Sequence, residues 1–287
     1  MNIIHKPLND LLVEANLFQK LASTTANTVN IDSWSNDEYV NCFVNWVNSS
    51  SSFNITGLDV FPYKAYCVGT TEGIQSFIQR HGHSRRLRFS KGEFAISKII
   101  CNYSKFNFSF LEDNELDSND AVIISLPFSA NGGIYPGYND LIDQCNQLNI
   151  PVLLDLAYIG VSYGIDIDLT HQCITDVVFS LSKPMSAQLR LGLRIAKEYH
   201  DDVIQFNHEA KMFNRIAAKV GVELMNNFSQ DYFVSKYRPI QEQICSILSL
   251  TPTNTLTLAL GNEKNHKEFY RNGFYRICIT DELLHRG

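Results

Sequence analysis

Short apolar runs alternate with helical stretches through the middle of the chain, and this alternation limits the possible fold more than any other sequence feature. The runs that have the length of a buried strand are residues 65–68, 121–126, 151–154, 176–180 and 193–196. Residues 72–79 and 138–148, which lie between them, have the apolar spacing of helices. Near-continuous apolar strands with helical connections predict an α/β fold, in which a mainly parallel sheet lies buried between two helical layers.

The N-terminal part of the chain differs from this pattern. The first 60 residues are polar and rich in Asn and Ser. Within them, residues 37–47 have the spacing of a helix that would carry Tyr39, Phe43 and Trp46 on one face. We therefore expect an N-terminal segment at 1–60, outside the alternating region.

The C-terminal part changes character again after residue 199. The pattern there predicts two helices, at 201–227 and 237–250, and two strands, at 255–260 and 274–280. This mixture indicates a smaller α+β lobe. We therefore expect a large domain at 61–200 and a small C-terminal lobe at 201–287.

Charge and cysteine content exclude several classes of protein. The net charge of −6 argues against general binding of nucleic acid, and the short basic cluster at 85–88 is typical of a solvated surface. The 7 Cys residues are odd in number and widely spaced, which is untypical of a disulfide framework or a zinc site, and no metal site is expected. No apolar run has the length of a membrane span, and acidic residues near the start do not fit a signal peptide. The default expectation is a cytoplasmic protein that acts without a membrane.

Three polar features lie where predicted strands end. Gly69-Thr70-Thr71 opens a helix, Asp155 ends one strand, and Ser180-Leu181-Ser182-Lys183 ends another. Ligands of α/β sheets bind at the carboxyl ends of the strands. A helix N-terminus with glycine and threonine suits a phosphate group, and a lysine beside an anion site can reach a carbonyl or a phosphate. A carboxylate that faces a heterocyclic nitrogen would hold that nitrogen protonated.

In combination, these motifs resemble fold-type I pyridoxal-phosphate (PLP) enzymes, the aspartate aminotransferase superfamily. Residues 67–74 are similar to the phosphate-loop segment of that family, and Asp155-Leu156-Ala157-Tyr158 is similar to its Asp-x-Ala-Tyr motif. Ser180-Leu181-Ser182-Lys183 resembles its Ser-x-Ser-Lys motif, and residues 192–195 resemble its Gly-Leu-Arg-Ile segment. Each motif alone is short, but their order is specific, with 28 residues from Asp155 to Lys183.

The resemblance implies a role for each matching residue. Lys183 would carry PLP as a Schiff base and transfer protons, Asp155 would pair with the pyridinium nitrogen, and Tyr158 would contact the phenolic oxygen. The residues that would contact the phosphate are Gly69, Thr70, Thr71, Ser180 and Arg194. Phe94 would stack on the cofactor ring, and Ser129 falls where the family has an Asn that contacts the cofactor. Arg276 would bind the substrate carboxylate, which a planar guanidinium can hold bidentately.

Some assignments have alternatives. Arg190 is a rival of Arg194 as the phosphate ligand, and Asn131 could replace Ser129 beside the cofactor. A structural role also fits several residues when each is considered alone: a helix cap for residues 69–71, a core position for Phe94, and an ion pair with Asp281 for Arg276.

The function implied is that of an aminotransferase, which exchanges an amino acid for a keto acid and works as a homodimer. A different PLP-dependent reaction, such as that of a decarboxylase, lyase or cyclase, would use the same site. A PLP-binding protein without turnover is the alternative from another class, since a fold does not fix a function. The Schiff-base lysine argues against it.

Overall fold

The central element of the protein is a seven-stranded sheet in a computed structural model that describes residues 36–185 and 189–286. Its strands stand in the order β2-β9-β8-β6-β5-β3-β4. The bounds are β2 Tyr63–Val68, β3 Arg86–Phe89, β4 Phe108–Phe110, β5 Asp120–Ser125, β6 Val152–Leu156, β8 Ile174–Ser180 and β9 Leu191–Ala196. All neighbours are parallel except β9, which is antiparallel to both β2 and β8. The predicted buried, mainly parallel sheet is confirmed.

Helices connect these strands and cover the sheet. They are α1 Asn36–Asn48, α2 Gly69–His81, α3 Ile96–Ser104, α4 Tyr138–Leu148, α5 Val203–Glu209, α6 Arg215–Asn227 and α7 Tyr232–Leu248. Ile74, Phe77 and Ile78 of α2 are buried against one face of the sheet. Phe43 of α1 packs on Phe179 of β8 on the other face. The apolar strands are therefore buried on both sides, as a parallel sheet requires.

Two smaller sheets complete the fold. One is a parallel pair of β1 Phe53–Thr56 and β7 Ile165–Asp168. The other is antiparallel, in the order β10-β11-β13-β12, with β10 Thr251–Pro252, β11 Leu258–Leu260, β12 Tyr270–Arg271 and β13 Phe274–Cys278. The short helix α8 Glu263–His266 precedes β12, and α9 Thr280–Arg286 follows β13. Short 3₁₀ turns lie at Leu58–Val60 and Lys267–Phe269.

The predicted N-terminal helix is present as α1. Tyr39, Phe43 and Trp46 are all buried, as their spacing predicted. The Trp46 indole N–H donates to the Phe228 carbonyl oxygen at 2.8 Å, at the end of α6. The first 35 residues of the predicted segment 1–60 lie outside the described residues. The domain bounds themselves stay a prediction.

The basic cluster is a correction to the sequence analysis. Arg86 and Arg88 lie in strand β3, and Arg88 is fully buried rather than solvated. Both guanidinium groups pair with the buried carboxylate of Asp120 at the start of β5, at 2.6 Å and 2.7 Å. The cluster therefore joins two strands, because a buried charge is stable only when it is paired and hydrogen-bonded. In the part of the chain that the structure describes, no helix is long and apolar enough to cross a membrane.

Candidate active site

The predicted site residues meet at one edge of the seven-stranded sheet. The parallel strands β2, β3, β5, β6 and β8 all end at this edge, and the reversed strand β9 begins there. Gly192 pairs with Cys67 on one side and with Ser180 on the other. The start of α2, Asp155 and the turn that carries Lys183 therefore face one another across neighbouring strands.

Lys183 lies in the turn that follows β8. Its ammonium nitrogen is 5.2 Å from the centre of the Tyr158 ring, within cation–π distance. Burial lowers the pKa of Lys183, and the negative charge of Asp155 opposes this effect. A lysine whose pKa is lowered is neutral more often, and the neutral amine is the form that acts as a nucleophile and a base.

Asp155 ends β6 and is buried. Burial raises the pKa of its carboxyl group to about 6, while hydrogen bonds from the Thr70 side chain and the Ala157 backbone N–H act in the opposite direction. The charge of Lys183 also favours the ionised form. The group is therefore a desolvated carboxylate for which an additional positive partner would be favourable.

The start of α2 provides a cradle of backbone groups. Gly69 has a left-handed φ of 68°, and no side chain of the described residues caps the helix. A Cβ added at Gly192 would lie 2.8 Å from Gly69 Cα, so only glycine allows β9 to approach this turn so closely. Thr71 stands beside the turn, and Thr70 is bonded to Asp155. The free N–H groups of the first turn, with the positive end of the helix dipole, favour an anion here.

The two candidate phosphate arginines occupy different places. A Cβ on Gly69 would lie 2.9 Å from Arg190 Nη2, and Arg190 donates to the Thr71 hydroxyl at 3.4 Å. Arg194 is almost fully buried and is bonded to Asp202 and Gln205 instead. Because its guanidinium is hydrogen-bonded to these side chains, the contact of Arg194 with phosphate stays a prediction. The geometry favours Arg190, the alternative left open by the sequence.

Ser180 ends β8, and its hydroxyl is engaged inside the lysine turn. It lies 2.9 Å from the Ser182 hydroxyl and 3.2 Å from the Leu191 carbonyl oxygen, and it accepts from the Ser182 backbone N–H at 3.0 Å. These bonds tie the turn that carries Lys183 to the start of β9. The predicted contact of Ser180 with phosphate stays a prediction.

The loop after β5 connects the sheet edge to the small antiparallel sheet. The Ser129 backbone carbonyl accepts a hydrogen bond from Arg276 of β13 at 2.5 Å. Arg276 also influences Tyr158, since its charge opposes the burial that raises the pKa of Tyr158 to about 12. Asn131 uses its amide within its own loop, with bonds to Ile134 and Gly133. Because the Asn131 amide is already hydrogen-bonded within its loop, Ser129 is the better candidate for the contact with the cofactor.

A buried carboxyl group next to Phe94 was not expected from the sequence. Glu93 accepts from the Ser125 backbone N–H at 2.8 Å and from the Ser125 hydroxyl at 2.5 Å. Burial raises the pKa of Glu93 to about 7, against the effect of these bonds. Phe94 itself is 57% exposed at this edge, so its predicted stacking role stays a prediction.

A second arginine of the small sheet was also missed. Arg271 of β12 donates to the Glu93 backbone carbonyl at 3.2 Å, so it lies at the same edge as Arg276. Asn272 and Gly273, both with positive φ, form the two-residue turn between β12 and β13. An Asn-Gly pair is a strong hairpin signal. Counting outward from it would have placed Arg271 and Arg276 on one face.

These features define the molecule as a three-layer α/β protein with a lysine and a carboxylate at the carboxyl edge of its sheet. No protein-family model matches the sequence, and a comparison with curated proteins found no match. Solved structures do match. Tyrosine aminotransferase from Leishmania infantum has a TM-score of 0.68 at 12% identity, over 93% of this chain and 87% of that chain.

Two further structures support the same comparison. A probable N-succinyldiaminopimelate aminotransferase from Thermus thermophilus has a TM-score of 0.66 at 12% identity, over 94% of this chain and 89% of that chain. The PLP-bound C-S lyase from Staphylococcus hominis has a TM-score of 0.65 at 11% identity, over 93% of this chain and 86% of that chain. The chain has the fold of these enzymes, and the predicted PLP-transferase-like fold is confirmed.

Proposed function

We propose that the protein binds PLP through Lys183 and is an aminotransferase that acts on an amino acid. The observation that carries this proposal is the convergence of the Lys183 amine, the Asp155 carboxylate and the Tyr158 ring at one strand edge. The solved structures of the same fold are aminotransferases and a PLP-bound C-S lyase, which supports the choice of cofactor.

The residues at the edge fit PLP in both charge and shape. The uncapped start of α2, with Gly69, Thr71 and Arg190, would hold the phosphate. Asp155, a buried carboxylate with a raised pKa, would gain a positive partner in the pyridinium nitrogen. The Tyr158 hydroxyl would contact the phenolic oxygen, and Phe94 would cover the ring.

When bound, PLP supplies an electron sink for the bond that is broken at the substrate α-carbon. Once the substrate amine has displaced it, the Lys183 amine would be free to remove the proton from that carbon, because burial lowers its pKa and keeps a larger fraction of the amine neutral. Arg276 binds the substrate α-carboxylate and fixes the orientation of the α-carbon relative to Lys183. Asp155 would hold the ring nitrogen of the cofactor in its protonated state.

The test is labelling of Lys183. The purified protein should absorb in the visible range, and borohydride should fix a pyridoxyl group on the peptide that contains Lys183. Lys183→Arg should abolish the label, whereas the control Lys236→Arg, on the far helix α7, should retain it. A label on another lysine, or the absence of any label, would contradict the proposal.

Product analysis separates the aminotransferase from its rivals on the same site. Transfer should yield a keto acid while the amino group stays with the cofactor. Release of ammonia would instead indicate a lyase, and release of carbon dioxide a decarboxylase. A stable label without any product would favour a binding protein without turnover.

We also propose that the protein is a homodimer. Large apolar side chains are exposed along residues 203–216, which comprise α5, the connection at 210–214 and the start of α6: Val203 67%, Phe206 60%, Met212 66% and Ile216 51% exposed. Several exposed large apolar side chains within one short segment favour an interaction site. A second copy of the chain is the partner that we propose for it.

We further propose a cytoplasmic location. All 7 cysteines are free, and Cys67, Cys101 and Cys145 are among those fully buried as thiols. Free thiols persist in a reducing compartment.

A further inference from the structure

The β12–β13 hairpin presents two arginines to the candidate site. Arg271 pairs with Phe274 across the hairpin, and Arg276 is two residues beyond Phe274 on the same strand. Residues directly opposite each other share a face of a sheet, and so do residues two apart on one strand. Arg271 and Arg276 are therefore diagonal neighbours on the same face, and the backbone positions of such neighbours are typically about 7–8 Å apart.

Neither guanidinium has an acidic partner among the described residues. Arg276 donates to the Ser129 carbonyl oxygen and Arg271 to the Glu93 carbonyl oxygen. A carbonyl oxygen satisfies a hydrogen bond but does not cancel a full charge. Both side chains are partly buried, so two uncompensated cations stand side by side where water screens them incompletely.

The electrostatics of the edge agree with this description. Burial and the charge of Arg276 lower the pKa of Arg271, and both arginines act on the pKa of Tyr158. The charges of Arg271 and Arg276 therefore act on the region around Tyr158, next to the amine of Lys183. One substrate α-carboxylate would neutralise only one of them.

Glu93 is the acidic side chain whose charge acts on Arg271, so it is the candidate for an internal counter-ion. Both of its carboxylate oxygens are engaged by Ser125, through the backbone N–H and the hydroxyl. Arg271 contacts only the backbone oxygen of Glu93. The Glu93 carboxylate is therefore hydrogen-bonded to the end of β5, and the charge of the Arg271 guanidinium remains available to a ligand.

We infer that the substrate carries a second carboxylate on its side chain and that Arg271 binds it, while Arg276 binds the α-carboxylate. The inference rests on the proposed function and narrows its substrate class to dicarboxylic amino acids and keto acids. A pair of adjacent guanidinium groups matches two carboxylates on a short chain, because each can be held bidentately.

The experiment measures binding without turnover. Calorimetry on the purified, cofactor-containing protein would compare glutarate with pentanoate, which differ by one terminal carboxylate. Wild type should bind glutarate on the order of 30-fold more tightly. Arg271→Gln should remove most of this preference and leave pentanoate binding within about twofold, whereas Arg276→Gln should weaken both ligands.

Two further variants keep the test decisive. Arg271→Lys retains the charge without the planar fork, so its preference should fall between that of wild type and Arg271→Gln. Arg286→Gln, a surface control paired with Glu282 on α9, should behave like wild type. If Arg271→Gln fails to fold, an intermediate preference in Arg271→Lys still carries the inference.

Other results would overturn the inference. Equal weakening of both ligands in Arg271→Gln would mean that both arginines hold the same carboxylate. Equal binding of the two ligands by wild type would mean that no second acidic subsite exists. A missing label on Lys183 would instead defeat the proposed function, and that result is independent of the glutarate preference.

Discussion

The carboxyl groups of Asp155 and Glu93 are buried at the site, and this has a consequence for stability. Their pKa values are raised, to about 6 and about 7, from ordinary values of 3.8 and 4.5. As pH rises, the unfolded chain therefore loses these protons before the folded protein does. The stability that each group contributes at low pH is lost as pH rises through its folded pKa.

We expect the cofactor-free protein to lose stability from these groups between about pH 4 and pH 7. Each group should account for on the order of 3 kcal/mol. Urea unfolding of wild type, Asp155→Asn and Glu93→Gln at several pH values checks this. The difference between wild type and each variant should change with pH in that window. A pH-independent difference would contradict the raised pKa values.

The two arginines near the cradle should respond differently to substitution. Arg190→Gln removes an exposed cation beside Gly69 and should weaken cofactor binding on the order of tenfold with little change in melting temperature. Arg194→Gln leaves a buried ion pair without its cation and should cost about 3 kcal/mol of stability. Cofactor titration and urea unfolding of both variants separate the roles. The reverse pattern would restore Arg194 as the phosphate ligand.

The sequence predicted individual site residues correctly where they belong to a short, recognisable motif. The structure brings Asp155, Tyr158 and Lys183 together as expected from their motifs. The sequence left both Arg190 and Arg194 open as phosphate ligands because they lie on one short stretch, and the start of β9 decides which of them lies beside Gly69. Glu93 and Arg271 were missed because their contacts are made between distant segments.

At the scale of elements, the contact between α2 and β8 depends on a glycine. A Cβ on Gly73 would lie 2.3 Å from Val178 Cγ1. Gly73→Ala should therefore push α2 away from the sheet, cost about 1–3 kcal/mol and weaken cofactor binding through the displaced helix start. Urea unfolding and cofactor titration measure both effects.

A second substitution tests this explanation. Val178→Ala removes the atom that would clash, so the double variant should be less destabilised than the sum of the single variants predicts. Gly221→Ala is the control, since its Cβ would lie 3.0 Å from Leu191 and 3.2 Å from the Tyr39 ring rather than near Val178, so Val178→Ala should not relieve its effect. If the changes in the free energy of unfolding caused by Gly73→Ala and Val178→Ala were strictly additive, there would be no steric conflict between α2 and β8 at this point.

Most of the strands and helices that have a clear apolar periodicity were predicted from the sequence. The five apolar runs correspond to β2, β5, β6, β8 and β9, and residues 138–148 form α4. Strand β3 was missed because its arginines hid the apolar alternation, and they are tolerated there only through Asp120 of β5. The predicted helix 201–227 is two helices, α5 and α6, because residues 210–214 leave the helical path.

At the scale of the whole molecule, the apolar surface at 203–216 predicts the state of assembly. We expect wild type to be a dimer by light scattering and Phe206→Glu to shift it toward the monomer, since a charge would be buried in the interface. Tyr103→Glu is the control, at a side chain that is 90% exposed on α3, outside this segment. Monomeric wild type at concentrations where the cofactor stays bound would refute the dimer.

The position of β2 also governs the order in which the molecule can be assembled. Strands β3, β5, β6 and β8 each pair with a strand that is close in sequence order, but β2 is an edge strand that pairs only with β9 among the described strands. Residues 63–68 are synthesised well before residues 191–196, with which they pair. Strand pairs so distant in sequence form slowly, because a long loop must close first. In a nascent chain that ends before β9, no described strand pairs with β2, and the position of α2 depends on its packing against β8. A ligand that contacts both the start of α2 and the turn of Lys183 would therefore stabilise the pairing of β2 with β9.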